Sequence, residues 1–431
     1  MTYTETIDYL YHQLPMFTRI GAAAYKKDLH NTIALCNAFA NPEKKFKSIH
    51  IAGTNGKGST SHMLAAIFQT AGYKTGLYTS PHLKDFRERI KVNGEWIEEQ
   101  FVIDFVSRAK HLIDALEPSF FELTVVMAFE YFVHQQVDIA IIETGLGGRL
   151  DSTNVITPEL SIITNIGWDH VNLLGDTLEK IAFEKAGIIK QGIPVVLGET
   201  LGETKAVFEV KALATNSQIF FAEEMYRIEN CGFEMNELSC SFVNNQGYIL
   251  PVRCDLAGAY QLKNIRTVLT AVDVLRQKGF ALANTTLQLA LAQVKKLTGL
   301  HGRWEVIREK PCVVLDVGHN EDGVKQIVNQ LSQSGRPAAA ISMVIGVVKD
   351  KEVEKMLQWF NTGYRFYFTN AHIPRALPAA DLQAKAHAFG LQGDVYDDVN
   401  KAIEQAVKDS GQDGLIVVCG SVFVVGEVVV T

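Results

Sequence analysis

A glycine-rich stretch at residues 49–60, IHIAGTNGKGST, carries the residue types that bind phosphate groups. A short apolar strand leads into a turn with three glycines, and Ser59 then opens an apolar helix. Glycines let backbone N–H groups point at anionic oxygens, Lys57 adds a positive charge, and the Ser59 hydroxyl can hold Mg²⁺. The spacing departs from G-x-x-x-x-G-K-[ST], because Gly58 separates the lysine from the serine. The order of strand, turn, lysine, hydroxyl and helix still predicts a nucleotide-phosphate site rather than a turn without a ligand.

Further polar groups follow other apolar strands. Thr79-Ser80-Pro81-His82 follows TGLYT, Glu143 closes VDIAIIE, and His170 ends the segment NIGWDH. Open parallel sheets bind ligands at the carboxyl ends of their strands, and a carboxylate there is suited to Mg²⁺. Taken singly, Glu143 could be a helix cap and His170 a structural histidine. Their shared position at one edge of a sheet favours a functional site.

The elements that must position these groups alternate along the chain. Continuous apolar strands joined by helices predict a parallel sheet covered on both faces. The pattern predicts strands at 48–52, 75–79, 137–143, 160–166 and 194–198, and helices at 60–71, 99–116, 121–135 and 177–189. Short, irregular strand-like pieces from about 205 to 255 predict a small antiparallel appendage.

A second alternating series follows the helix predicted at 261–278. Its strands are predicted at 312–317, 342–347, 365–369 and 414–419. The pattern is interrupted near 296–302, which places the boundary between domains 1–297 and 298–431. We therefore predict an α/β protein with an N-terminal P-loop-type ATPase domain, built on a mostly parallel sheet with a small antiparallel appendage, and a C-terminal Rossmann-like α/β domain.

Composition narrows the class of protein. The chain has 431 residues, of which 47% are hydrophobic and 21% charged, as in globular proteins of more than one domain. A net charge of −7 argues against nucleic acid or an anionic membrane as a partner. The six cysteines show no metal-ligand spacing and are predicted to be reduced thiols. We expect no signal peptide and no membrane span, and hence a cytoplasmic protein.

Several longer motifs carry a resemblance that spans nearly the whole chain. They are GTNGKGS, TSPHL, ETGLGGRLDSTN, TNIGWDHVNLLG, EKAGIIK, GAYQLKN, HGRWE, DVGHN and CGSVFVVGEV. In this order they resemble the folylpolyglutamate synthases and dihydrofolate synthases, which are Mur-ligase-like ATP-dependent amide ligases. GTNGKGS alone would suit any Mur-type ligase, whereas GGRLD, EKAG and DVGHN together narrow the resemblance to the folate branch.

The resemblance implies an acyl-phosphate reaction. ATP phosphorylates a pterin carboxylate, and the amine of L-glutamate attacks the product to give an amide, ADP and phosphate. Catalysis then depends on positioning and charge stabilisation, with no protein nucleophile. The catalytic residues implied are Lys57, Glu143, His170, Lys185 and His319. Ser80, Glu143, His170 and Lys185, the last as a carbamate, would hold two magnesium ions, although imidazole is an unusual ligand for so hard a cation.

The same resemblance implies the binding residues. The nucleotide would contact Gly53, Thr54, Asn55, Gly56, Lys57, Gly58, Ser59, Asn264, Arg303 and Asp316. The pterin acid and glutamate would contact Phe120, Phe121, Glu122, Leu150, Asp151, Ser152 and Ser421, with core packing as the alternative for the two phenylalanines. Two departures stand out: Tyr260 replaces the histidine common in G-x-H-Q-x-x-N, and residues 22–31 differ at the outer edge of the pterin pocket.

Two other classes of function compete with this interpretation. A cell-wall ligase of the Mur type shares the phosphate loop, but it would usually need a further N-terminal domain for a uridine nucleotide. A non-enzymatic nucleotide switch would not need the motifs DVGHN and GRW. The sequence leaves open whether dihydropteroate, a reduced folate or both is the acceptor, and the resemblance implies a monomer without a protein partner.

Overall fold

The computed structural model describes residues 1–21 and 26–429, and these residues form two compact units. The N-terminal unit comprises Met1–Gly232, Ser239–Asp255 and Gln261–Leu300. The C-terminal unit comprises Phe233–Leu238, Leu256–Tyr260 and the described residues from His301 onward. Each unit has its own buried sheet, as expected for a chain too long for a single hydrophobic core.

The N-terminal unit is built on an eight-stranded sheet. Its strands are β1 (Ser48–Ala52), β2 (Thr75–Tyr78), β3 (Ile90–Val92), β4 (Glu95–Trp96), β5 (Ile139–Glu143), β6 (Leu160–Ile163), β7 (Val195–Leu197) and β8 (Ile219–Phe221). Their order is β4-β3-β2-β5-β1-β6-β7-β8. All neighbours are parallel except β2–β3 and β3–β4. The five strands predicted here are confirmed, and the mostly parallel sheet is as expected from their continuous apolar sequences.

Helices cover this sheet. They are α1 (Tyr3–Gln13), α2 (Phe17–Ile20), α3 (His30–Ala38), α4 (Lys57–Thr70), α5 (Glu99–Leu116), α6 (Phe120–His134), α7 (Val171–Leu174), α8 (Leu178–Ala186), α9 (Gly202–Ala214), α10 (Ala222–Met225), α11 (Gln261–Gln277), α12 (Asn284–Leu291) and α13 (Val294–Thr298). The helix predicted at 60–71 begins earlier, at Lys57, because Gly56 adopts φ +83° as its N-cap and the turn passes directly into the first helical turn. The helix predicted at 177–189 ends at Ala186, next to Gly187.

The prediction of an antiparallel appendage from about 205 was wrong at its start. Residues 202–214 form α9, and SQIFFAEE contains β8, a parallel edge strand of the main sheet. β8 has only three residues, all apolar and half-buried, and so short a strand does not show from its sequence whether its pairing is parallel or antiparallel. The appendage itself is a three-stranded sheet of β9 (Tyr226–Phe233), β10 (Leu238–Asn244) and β11 (Ile249–Cys254). Only four residues connect β9 to β10 and β10 to β11, and connections this short join antiparallel strands.

The prediction that all six cysteines are reduced was also wrong for one pair. Cys231 on β9 and Cys240 on β10 form a disulfide, with their Cα atoms 4.3 Å apart across the hairpin. Cys36, Cys254, Cys312 and Cys419 are free and buried. Sequence separation alone could not reveal the pair, because only the strand register brings the two residues opposite each other.

The C-terminal unit contains a six-stranded sheet. Its strands are β12 (Glu305–Glu309), β13 (Cys312–Leu315), β14 (Ile341–Ile345), β15 (Arg365–Phe368), β16 (Gly393–Val395) and β17 (Leu415–Cys419), in the order β12-β13-β17-β14-β15-β16. Only β12 pairs antiparallel. Its helices are α14 (Glu321–Gln333), α15 (Val353–Leu357), α16 (Ala379–His387), α17 (Val399–Asp409) and α18 (Val422–Gly426). The four predicted strands are confirmed, whereas β12 and β16, both polar edge strands, were missed.

Candidate active site

The phosphate loop connects the central strand of the N-terminal sheet to α4. All five residues of β1 are buried, which fixes the point at which the loop begins. A Cβ atom on Gly53 would lie 1.8 Å from the Thr164 hydroxyl, and one on Gly56 would lie 2.3 Å from the Asn264 side-chain oxygen. Both positions therefore require glycine, also because φ is positive at each, +155° at Gly53 and +83° at Gly56.

Asn165, after β6, holds the first half of this loop. The N–H of Thr54 donates to the Asn165 carbonyl at 3.0 Å, and the N–H of Asn55 donates to its side-chain oxygen at 2.8 Å. These two N–H groups are thus engaged with the protein. The first N–H groups of a helix have no partner within the helix, so the donors best placed for a phosphate belong to Lys57, Gly58 and Ser59 at the start of α4.

Two lysines converge on one carbonyl oxygen of the loop. The Nζ of Lys57 donates to the Gly53 carbonyl at 3.0 Å, and the Nζ of Lys185, on α8, donates to the same oxygen at 2.8 Å. Burial, reinforced by the charge of Lys57, lowers the pKa of Lys185 from 10.5 to about 7. A buried amine of this kind is neutral in a large fraction of molecules at neutral pH, and a neutral amine can react with CO₂.

The motifs GGRLD and EKAG lie against each other and thereby fix Lys185. A Cβ on Gly148 would lie 2.8 Å from the Glu184 carbonyl and 2.9 Å from that of Lys185, and a Cβ on Gly187 would lie 2.3 Å from the Arg149 Cα. The Arg149 N–H donates to the Glu184 carbonyl at 2.7 Å, and the two side chains form an ion pair at 2.9 Å. The glycines permit this close approach of loop and helix.

Glu143 ends β5 beside the phosphate loop. It pairs in register with Ile51 of β1 and is buried. Its Oε2 accepts a 3.2 Å hydrogen bond from the N–H of Ser80, which follows the neighbouring strand β2. The structure therefore brings together two of the predicted metal-binding residues at the carboxyl edge of the sheet.

His170 is held by the segment that follows β6. It adopts φ +51° immediately before α7, and its N–H donates to the Asp169 carboxylate at 2.9 Å. Its ring packs edge-on against Phe17. No group of three or more His, Cys, Asp or Glu residues suited to a metal ion occurs within residues 1–21 and 26–429. The predicted set therefore depends on Ser80 and on a modified Lys185 as well as on Glu143 and His170.

The three residues predicted beside the pterin differ in their surroundings. Phe120 is buried in the core, where Arg89 lies over its ring, whereas Phe121 is partly exposed and packs on Gly145. The Oε2 of Glu122 accepts from the Ser119 N–H at 2.6 Å in a capping box at the start of α6. Residues 22–25 of the divergent N-terminal segment lie outside the described residues.

Asp151 organises the loop that follows β5. Its Oδ2 accepts from the Leu146 N–H at 2.8 Å, and its Oδ1 accepts from the N–H and the hydroxyl of Thr153 at 3.0 and 2.5 Å. Burial raises the pKa of the Asp151 carboxyl, and these donors oppose that effect. Leu150 and Ser152 adjoin Asp151 in the chain, so these hydrogen bonds tie the second predicted substrate segment to the loop after β5.

Asn264 lies beside the phosphate loop, as its predicted role requires. It occupies the first turn of α11, and its side-chain amide donates to Gln261 at 2.7 Å. Gln261 in turn donates to the Ser59 hydroxyl at 3.1 Å. Gln261, Thr164 and Asn165 were not predicted as site residues, although they lie in the motifs GAYQLKN and TNIGWDHVNLLG, because their supporting contacts join segments that are distant in sequence.

In the C-terminal unit, the predicted residues gather after β13 and β17. Asp316 follows β13, is buried, and accepts from the Tyr260 hydroxyl at 2.6 Å and from the Trp304 N–H at 3.0 Å. Burial raises the pKa of the Asp316 carboxyl, and the positive charge of Arg303 opposes part of this rise. Tyr260, which stands at the histidine position of G-x-H-Q-x-x-N, is thus a direct partner of Asp316.

His319 and Ser421 lie at the same edge of this sheet. The Gly420 N–H donates to the Gly318 carbonyl at 3.0 Å, which brings the segments after β13 and β17 together. The Nδ1 of His319 lies 2.9 Å from the Val317 carbonyl, and the Ser421 hydroxyl caps α18 by accepting from the Phe423 N–H at 3.1 Å. The carboxyl edge of a parallel sheet is the usual place for a ligand.

The described helices include none that is long and apolar enough to cross a membrane.

Comparison with known proteins agrees with this arrangement. The Mur ligase middle domain matches residues 51–272, and the Mur ligase glutamate ligase domain matches residues 302–422. The dihydrofolate synthase/folylpolyglutamate synthase of Bacillus subtilis is 35% identical over 407 residues, covering 90% of this chain and 91% of that protein.

Two solved structures extend the comparison to the whole fold. The folylpolyglutamate synthase of Mycobacterium tuberculosis, complexed with ADP and AMPPCP, has a TM-score of 0.88 at 27% identity and covers 99% of this chain and 98% of its own. Escherichia coli FolC, in complex with DHPP and ADP, has a TM-score of 0.86 at 25% identity and covers 99% and 96%.

Fold and site together define an ATP-dependent ligase that forms C–N bonds. A phosphate loop on a mostly parallel sheet, followed by a second α/β unit with polar groups at its own sheet edge, is the architecture of that class. The chain belongs to the Mur ligase family and, within it, to the folylpolyglutamate synthases and dihydrofolate synthases.

Proposed function

We propose that the protein joins L-glutamate to a pterin carboxylate at the expense of ATP. The observation that carries this proposal is the convergence of Lys57 and Lys185 on the Gly53 carbonyl, at a phosphate loop adjoining Glu143. The Lys57 ammonium suits a phosphoryl group in transfer, whereas Lys185, whose pKa is lowered to about 7, suits conversion to a carbamate beside it. The names of the relatives, and the ADP and DHPP bound to the Escherichia coli structure, support the same reaction.

The reaction proceeds in two balanced steps. A carboxylate oxygen of the pterin acid attacks the γ-phosphorus of ATP, and the bond to the β,γ-bridging oxygen breaks to release ADP. The glutamate amine then attacks the acyl carbon, loses a proton, and expels inorganic phosphate. The protein contributes positioning and charge stabilisation: the N–H groups of Lys57, Gly58 and Ser59 bind phosphate oxygens, and the Lys57 ammonium offsets their charge.

The residues at the carboxyl edge of β2, β5 and β6 fit magnesium. Ser80 and Glu143 offer oxygen atoms on neighbouring strands, His170 follows β6, and Lys185 would supply oxygens as a carbamate. Magnesium would neutralise charge on the phosphate oxygens of ATP. The environment of Lys185 fits the modification, because a carbamate would replace one of two adjacent positive charges by a negative one.

The roles of the remaining residues complete this proposal. Asp151, Ser152 and Phe121 would contact the pterin acid, as would Phe120, Glu122 and Leu150. Asn264, Arg303 and Asp316 would contact ATP, and His319 and Ser421 the incoming glutamate. The domain boundary at residue 297/298 falls one residue before the end of α13, and the two family matches on either side of it support it. We further infer a monomeric cytoplasmic enzyme that binds neither nucleic acid nor membranes, which the net charge of −7 supports.

A substrate-dependence assay tests the proposal. The purified protein is given Mg-ATP in bicarbonate buffer, with dihydropteroate or tetrahydrofolate and with or without L-glutamate. We expect phosphate release that requires an acid and glutamate together, and an amide product heavier by one glutamate residue. Turnover with both acids means a bifunctional enzyme, and turnover with one identifies the acceptor. ATP hydrolysis that neither acid stimulates would refute the proposal and favour a Mur-type ligase for another carboxylate or a nucleotide switch.

A further inference from the structure

His50 lies in the middle of the strand that leads to the phosphate loop, yet nothing in the proposed chemistry uses it. It is fully buried in β1, between β5 and β6. Burial, with a smaller contribution from the charge of Lys190, lowers the pKa of the imidazole to about 3. The ring is therefore neutral at physiological pH, with one N–H donor and one acceptor nitrogen.

A single hydrogen bond determines which nitrogen carries the proton. The Nε2 of His50 lies 2.8 Å from the Thr153 hydroxyl, and that hydroxyl lies 2.5 Å from the Asp151 Oδ1. The donors that surround Asp151, which include the N–H groups of Leu146 and Thr153, favour the carboxylate form and oppose the rise in pKa that burial causes. The Thr153 hydroxyl must give its only proton to this carboxylate. It must then accept from His50, which is consequently the Nε2–H tautomer.

This chain of donors reaches the loop assigned to the pterin acid. Asp151 binds the start of the loop through the Leu146 N–H and its end through Thr153. Asn154 extends the connection, because its side-chain amide donates to the carbonyls of Arg149 and Gly187 at 3.0 and 3.1 Å. A Thr153 hydroxyl left without its donor could rotate away, and the carboxylate would then lose its shortest hydrogen bond.

We propose that His50 is a positioning residue for pterin-acid binding: through the Thr153 hydroxyl it fixes the direction of the Asp151 carboxylate. This inference rests on the proposed function, since it takes Asp151 to be part of the substrate site. His50 itself does not contact substrate. It connects β1, the strand that leads into the phosphate loop, to the loop after β5 that would bind the pterin acid.

The kinetic test compares His50→Leu with His50→Gln. Leucine removes the N–H donor, whereas the glutamine amide can present an N–H near the position of Nε2. We expect His50→Leu to raise the KM for the pterin acid about tenfold, as for one lost buried hydrogen bond, with the KM for ATP within about twofold of wild type. His50→Gln should recover most of the lost affinity. Thr153→Val should reproduce the leucine effect, and the double variant should add little to either change.

A matched control is available in the same unit. His62, on α4, is buried and its Nδ1 lies 2.8 Å from the Thr298 hydroxyl, which donates to the Val294 carbonyl at 2.6 Å. This pair has the same histidine–threonine distance of 2.8 Å, although through Nδ1 rather than Nε2, and it ends on a backbone carbonyl rather than on Asp151. His62→Leu should lower thermal stability to a similar extent and leave the KM for the pterin acid unchanged.

Imidazole ¹⁵N spectra test the hydrogen bond without any assay of activity. His50 should give the signals of a neutral Nε2–H tautomer from pH 5 to 8, and Thr153→Val should shift the Nε2 resonance. The Nδ1–H tautomer, or a KM for ATP that rises as much as that for the pterin acid, would overturn the inference. The inference would also be overturned if His50→Gln had the thermal stability of wild type but did not recover the affinity for the pterin acid. Absence of turnover by the wild-type protein would instead refute the proposed function and leave the tautomer result standing.

Discussion

Two ammonium groups on one carbonyl oxygen repel each other, and the protein places Lys57 and Lys185 in that arrangement on Gly53. Repulsion and burial together lower the pKa of Lys185, whereas Lys57 lies at the start of α4 on the phosphate loop. Lys185 is thus set up to lose its proton and accept a carboxyl group, whereas Lys57 lies where a phosphate would bind. Identical side chains acquire different chemistry from their positions.

Activity should depend on bicarbonate through Lys185. Because its pKa is lowered to about 7, the neutral amine that reacts with CO₂ is scarce below pH 7 and predominates above it. Enzyme depleted of CO₂ at pH 6 should regain activity on transfer to bicarbonate at pH 8, and ¹³C-bicarbonate should give a carbamate signal by NMR. Lys185→Ala should lower kcat by about 100-fold or more.

Lys91 provides the control for this experiment. It is also buried, its pKa is lowered to about 8, and it donates to the Thr298 carbonyl. Lys91→Gln should keep both the bicarbonate response and the carbamate signal. Bicarbonate-independent activity, or a carbamate signal that survives in Lys185→Ala, would show that Lys185 is not the modified group.

Close backbone contact between secondary-structure elements determines where Lys185 lies. The loop after β5 and helix α8 approach so closely at Gly148 that a methyl group there would meet the carbonyls of Glu184 and Lys185. Gly148→Ala should therefore displace α8 and lower the free energy of unfolding by about 1–3 kcal/mol. It should also reduce kcat by more than the smaller fraction of folded protein explains, because Lys185 is displaced. Chemical denaturation and steady-state kinetics measure the two effects.

Gly202→Ala is the matched substitution for Gly148→Ala. Gly202 begins α9, and no heavy atom lies within 4 Å of the position of an added Cβ. Alanine should leave kcat unchanged there and slightly raise stability, because it favours the helix. A Gly148→Ala variant with full activity would mean that the contact between loop and helix does not position Lys185.

The elements also show what sequence patterns can and cannot reveal. Strands such as β1 and β5 were predictable because both faces are buried, so that their sequences are continuously apolar. The edge strands β12 and β16 were missed because they include polar, exposed residues, and β8 was misassigned because its apolar sequence is only three residues long. The motifs located Lys57, Glu143 and Lys185, but the supporting roles of Asn165, Thr153 and His50 depend on contacts between distant segments.

The whole molecule should be stabilised by the nucleotide it binds. A ligand that binds only the folded state raises the free energy of unfolding by about 2.7 kcal/mol at a concentration of 100 times its Kd. A non-hydrolysable ATP analogue with Mg²⁺ should therefore raise the apparent Tm of the full chain. Lys57→Ala should remove most of this shift while keeping the Tm without ligand near that of wild type, as measured by differential scanning fluorimetry. An equal shift in wild type and variant would place the nucleotide away from the phosphate loop.

The proposed reaction requires that ATP activate a carboxylate of the pterin acid as an acyl phosphate, and the transfer of a carboxylate oxygen to phosphate measures this step. The acid that supports turnover is labelled with ¹⁸O in its carboxylate and incubated with Mg-ATP, L-glutamate and the enzyme. An acyl phosphate requires that one ¹⁸O atom pass from the carboxylate to the released phosphate, and we expect this label by ³¹P NMR or mass spectrometry. Unlabelled phosphate formed together with the amide product would contradict the account.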